Sequence, residues 1–174
     1  MSNKINTKRL TVCAMLSALG VVMLWIGSML EIAELSMAVI ASLLCVIAVI
    51  EYGGAAPWLV YTVTGILGLV LLPNKGIAAT YLVFFGYYPI VKEKLERHSR
   101  VLRWVWKELI FHVALLVLAA VWKWLLMPTV EMKGWIFYLA LLLLAEVAFV
   151  LYDIALTRLI SFYVYRLRKR VRWK

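Results

Sequence analysis

The chain has 174 residues, 66% of them hydrophobic, with a mean hydropathy of +0.94. A soluble domain of this length is nearer half apolar and rarely exposes apolar patches beyond a few hundred Å², so an ordinary water-soluble fold is excluded and the bilayer becomes the solvent. The net charge of +10 comes from bases gathered between the apolar runs; retention on the cytoplasmic side and attraction to anionic lipid, worth about 1 kcal/mol per surface base, account for it without a nucleic-acid partner.

A spanning helix needs about 17–25 mostly apolar residues. In chain order the qualifying segments are 10–29, 35–50, 55–72, 77–91, 108–127 and 135–156, which predicts a single all-α domain of six transmembrane helices over 1–174. The first follows Lys4, Lys8 and Arg9 and continues to about Ser28 without a small-x-small cleavage site, so it reads as an uncleaved helix. Proline falls at predicted helix ends: Pro57 in the first turn of the third span, Pro89 in the last turn of the fourth, and Pro73 and Pro128 after the third and fifth. The segment 92–107 reads as a short amphipathic helix or turn, and 166–174 as a basic tail.

Lysine and arginine set the orientation. With six spans and cytoplasmic termini, 16 of the 19 bases lie inside, and only Lys75, Lys123 and Lys133 lie outside. The expected location is a bacterial cytoplasmic membrane, multi-pass. Trp58, Trp104, Trp106, Trp122, Trp124, Trp135 and Tyr163 fall near span ends, where amphipathic rings prefer the headgroup level.

Neither a nucleophile–base arrangement nor HExxH nor a glycine-rich phosphate loop is present, so no enzyme, cofactor or ATPase motif is indicated. Cys13 and Cys45 lie inside apolar segments without metal-ligand spacing, and read as packing residues. The informative polar group inside a span is Glu146 in the sixth. A charge there costs roughly 2.5–3.5 kcal/mol on insertion scales, so it should face the bundle interior, either as a solute or proton site or as a hydrogen-bonded clasp. A second group lies on the outer loops and helix ends. Glu31, Glu34, Asn74, Lys75, Lys123, Glu131 and Lys133, with Tyr81, Trp122, Trp124 and Trp135 nearby, mix charge with aromatic faces, either as a pocket for a small polar ring-containing ligand or as ordinary solvated loop charge beside an aromatic belt. Ala14 and Ala18 form an AxxxA step on the first span, extended by Cys13 and Ser17, and mark a close helix–helix contact within the fold or with a partner.

The opening Thr7-Lys8-Arg9-Leu10, running through Ala14 and Ala18 to Leu19, together with the six-span architecture, resembles the substrate-binding S components of energy-coupling factor (ECF) transporters. The likeness covers the whole chain as architecture and the first helix as a motif. It implies an S-component-like bundle that captures a micronutrient from outside, with Ala14 and Ala18 packing on a transmembrane coupling subunit that works with two ATPase subunits. The segments Phe84–Lys92 and Tyr152–Arg158 resemble a group of Gram-positive membrane proteins for which an S-component-like fold without transport is the expectation. The alternative is therefore a non-transporting scaffold of the cell-envelope morphogenesis type. Likeness of fold does not by itself carry function.

Overall fold

The computed structural model describes residues 7–96, 99–123 and 134–167. The chain divides into two compact units, Met1–Leu126 and Met127–Lys174.

In the first unit, α1 runs Thr7–Met29, a 3-10 turn covers Glu31–Ala33, and α2 spans Glu34–Glu51. Helices α3 (Ala56–Leu71), α4 (Lys75–Thr80), α5 (Tyr88–Leu95) and α6 (Arg100–Val121) follow. Apolar runs become helices because lipid offers no partner to a free N–H or C=O, so every backbone bond must close within the segment. No strand occurs among the described residues.

Packing of α1 against α2 and α3 rests on small side chains. Cys13, Leu16, Ser17, Gly20, Leu24, Gly27 and Ser28 recur at three- and four-residue steps and are all buried. A Cβ on Gly20 would stand 2.9 Å from Thr64 Cγ2, so only glycine allows this approach. Apolar clusters of buried side chains hold the helices together. One joins Cys13, Leu16, Ala48, Ala56 and Val60; another joins Leu24, Ala38, Ala41, Leu72, Ile77, Ala78 and Tyr81. Cys13 and Cys45 are buried free thiols within this packing, and the Cys45 thiol donates to Pro57 O at 3.4 Å.

The turn from α2 to α3 uses Gly53 and Gly54, both at φ +57°, a conformation that a side chain disfavours. The Gly53 N–H reaches back to Ala48 O at 3.1 Å, closing α2, and Pro57 occupies the first turn of α3 where its missing N–H costs nothing.

The fourth predicted span is not one regular helix. Helix α4 widens into a π turn over Tyr81–Phe85, and α5 starts afresh with Pro89 in its first turn rather than in the last turn of a continuous span. Proline cannot donate to the carbonyl four residues back and its ring crowds that carbonyl, here Phe85. The ladder shifts ahead of it, and Gly86 N–H bonds Tyr81 O, five residues back, at 2.7 Å. Gly86 fits tightly, since a Cβ would meet Tyr61 Cδ2 at 2.6 Å.

Helix α6 begins eight residues before the predicted fifth span, and so takes in Arg103 and Lys107 from the segment read as a short amphipathic helix or turn. No proline or glycine interrupts 100–121, so the helix continues through the polar residues to its apolar part.

The second unit contains α7, Trp135–Phe162, continued by a π turn over Tyr163–Leu167. It outruns the predicted end at Leu156 because no helix breaker follows. Thr157 and Ser161 donate back to Asp153 O at 2.8 Å and Thr157 O at 2.9 Å, a hydroxyl ladder of the kind that bends helices just ahead of the widened turn.

Among the described residues, four helical stretches are long and apolar enough to cross a bilayer: Thr7–Met29, Glu34–Glu51, Val101–Val121 and Trp135–Arg166. At 1.5 Å per residue the sixteen residues of α3 reach about 24 Å, short of the roughly 30 Å hydrocarbon core. The chain is an all-helical, membrane-embedded protein.

Candidate functional site

Three polar clusters lie in the first unit. The first is at the end where α1 meets α2 and α3 meets α4, and it assembles several residues picked from the sequence. Asn74 stands in an extended conformation ahead of α4, and its Oδ1 accepts from Gly76 N–H at 2.9 Å as an N-cap. Its side-chain amide donates to Glu34 Oε1, and its backbone N–H donates to Ser28 Oγ at 3.1 Å. Trp122 closes over Gly76: a Cβ there would stand 3.1 Å from Trp122 Cζ2 and 3.0 Å from Asn74 Oδ1. Glu34, Asn74 and Trp122 thus converge on one backbone turn from α2, the α3–α4 loop and the end of α6.

Other predicted members are used differently. Lys75 folds back on α3, its ammonium donating to Leu72 O at 2.6 Å and Val70 O at 3.3 Å, where a cation complements the negative helix end. Tyr81 is fully buried in the apolar core beneath the cluster, stacked obliquely on Tyr61 at 6.3 Å between centroids, and so is not at the outer surface. Lys123 is exposed at the end of α6. Glu146 belongs to the second unit, midway along α7. The Glu31 side chain, Trp124, Glu131, Lys133 and the tail beyond Leu167 lie outside the described residues.

On α1, Ala14 and Ala18 face outward together with Met15, Leu19, Val22 and Trp25. Cys13 and Ser17 do not extend that step. They lie 100° round the helix and are buried against the neighbouring helices.

The second cluster is at the opposite end, where α5 passes to α6. Lys92 is 1% and Lys107 3% exposed, both within the segment read from the sequence as a short amphipathic helix or turn. Glu96 approaches both ammoniums, at 3.6 Å and 4.0 Å, and Lys107 also lies over the Trp104 ring at 5.6 Å. Burial of two like charges is tolerated only with such compensation. Lys92 and Glu96 stand four apart in one helical stretch, whereas Lys107 reaches Glu96 from α6 through the fold.

The third cluster surrounds Arg9, which the sequence marked only as a topology-setting base. Its Nη2 donates to Tyr52 O and Gly53 O, both at 2.7 Å, and its guanidinium lies 5.5 Å from the Tyr52 ring centroid. Burial raises the Tyr52 phenol above its usual range, so it stays neutral at physiological pH. Beside Arg9 is a partly open cavity of about 220 Å³ lined by Leu10, Cys13, Tyr52, Gly54, Ala55, Ala56 and Leu59.

No protein family, curated protein or solved structure matches the chain. The functional reading rests on its residues alone.

Proposed function

We propose that the chain is the solute-binding subunit of an ECF-type importer, crossing the bilayer six times with both termini in the cytoplasm. In this reading α3 and the interrupted α4–α5 segment complete the passes that the four longer helices begin. Charge supports the orientation. Among the described residues of the first unit, Lys8, Arg9, Lys92, Lys94, Arg103 and Lys107 lie toward one end by chain direction, and only Lys75 and Lys123 toward the other. The cluster of Glu34, Asn74 and Trp122 then faces outward, where a small polar solute arrives.

The observation that carries the proposal is the outward position of Ala14 and Ala18. Helix α1 has one small-residue face committed to α2 and α3, and a second that no described residue covers. In lipid, close backbone approach is what such a face offers a partner helix, and the S-component resemblance supplies the coupling subunit as that partner, with two ATPase subunits beyond it. The test is co-purification with such a coupling subunit. Ala14→Trp and Ala18→Trp are expected to reduce recovery at least tenfold without lowering thermal stability; unchanged recovery removes the assignment. Mass spectrometry of the purified protein should also show a retained small molecule.

A second reading, a membrane scaffold without transport, draws on a specific observation. Asn74 and Lys75 direct their donors to Glu34, Leu72 and Val70 within the fold. If no solute is retained and Glu34→Gln leaves uptake unchanged while the Ala14 and Ala18 variants still lose a partner, the scaffold is the better account.

A further inference from the structure

The Arg9 cavity has a donor set that the fold itself does not satisfy. Arg9 is half-buried and has no carboxylate partner among the described residues. One of its terminal nitrogens holds the two carbonyls that end α2, while its Nε is buried without a hydrogen-bond partner. Directly alongside, the Gly54 and Ala55 amides make no hydrogen bond among the described residues. Both residues line the cavity, and a Cβ on Gly54 would come within 4.0 Å of Arg9 Nη2. These amides precede the sixteen-residue α3, whose positive end they share. A planar cation, two amides without a hydrogen-bond partner among the described residues and a helix start all border one concavity, and all of them favour an anion. A water needs only about 10–15 Å³ of such space, so this cavity has room for a much larger group.

The remaining walls indicate where the anion comes from. Leu10 and Leu59 border the cavity and are 51% and 37% exposed, and both helices continue away from it with outward apolar side chains, Val63 and Ile66 on α3 among them. A charged recess opening onto a lipid-facing apolar surface matches an amphiphile better than a free ion. We propose that this cavity binds the phosphate of an anionic phospholipid, with Arg9 and the Gly54 and Ala55 amides on the phosphate and the acyl chains along the outer face of α3. The assignment does not depend on the importer reading. It uses only the first unit and holds equally for a scaffold.

Arg9 also closes α2, so removing it alone would confuse binding with folding. Ala55→Asp separates the two. It adds a carboxylate beside the positive end of α3, which the helix dipole favours, yet fills the recess with like charge. The full chain in detergent would be incubated with phosphatidylglycerol, phosphatidylcholine or inorganic phosphate, and read by native mass spectrometry and thermal unfolding. The expected result is at least tenfold preferential retention of phosphatidylglycerol over phosphatidylcholine with a raised Tm, lost in Arg9→Gln and in an Ala55→Asp variant whose lipid-free Tm is not lowered. Equal retention of the two lipids overturns the proposal, as does Ala55→Asp binding like the natural chain. Full protection by inorganic phosphate, with no lipid selectivity, overturns the lipid assignment in favour of a free anion.

Discussion

The two ends of the first unit solve the same problem with different completeness. At the Asn74 end, each named polar group has a partner within the fold: Asn74 caps α4, Lys75 donates to the end of α3, and Glu34 and Ser28 accept from Asn74. At the Arg9 end, a single guanidinium holds the carbonyls that end α2 and lines a cavity, its buried Nε left without a partner. The difference shows that charged residues at membrane helix ends first satisfy stranded backbone groups, and that binding capacity is what remains after that.

The sharpest way to break this contrast is Asn74→Leu, which removes an N-cap and a charge-assisted bond to Glu34 together. It should destabilise the protein by about 2–4 kcal/mol in thermal or denaturant unfolding in detergent. Arg9→Met removes two bonds at a half-exposed position and should cost less, about 1–2 kcal/mol. Should the two variants prove equally costly, the ends do not differ in the way described. Gly86→Ala probes the interrupted segment between the ends: with Tyr61 and Tyr81 at 2.6 and 2.8 Å from the added methyl, a loss of about 1–3 kcal/mol is expected from overpacking. The smallest effect belongs to Ala14→Leu. An outward position should tolerate it within about 0.5 kcal/mol, and a larger loss in the isolated protein would show that this face is already packed.

Much of the helical plan was legible because a bilayer reads composition directly. The apolar runs beginning near Leu10, Leu35 and Trp135 became α1, α2 and α7, with shifts of a few residues at their starts. Hydropathy misjudged α6, whose helical start at Arg100 is polar, and the Ile77–Val91 stretch, where apolarity continues through a proline that regular helical bonding does not. The candidate site was legible in part. Glu34, Asn74 and Trp122 do meet, whereas Tyr81 turned inward and Lys75 backward, because facing angle depends on which neighbour a helix packs against.

From sequence alone, then, came the solvent, the helical class, the asymmetry of charge between the two helix ends and the presence of a small-residue step on α1. Each follows from local chemistry: hydropathy, period and the cost of charge in hydrocarbon. Tertiary structure alone decided that Ala14 and Ala18 face out while Cys13 and Ser17 face in, that Lys92 and Lys107 are buried, and that Arg9 meets the end of α2. The last contact joins residues 43 and 44 positions apart. It exists only because α1 and α2 pack antiparallel, and no pattern within either helix encodes that register.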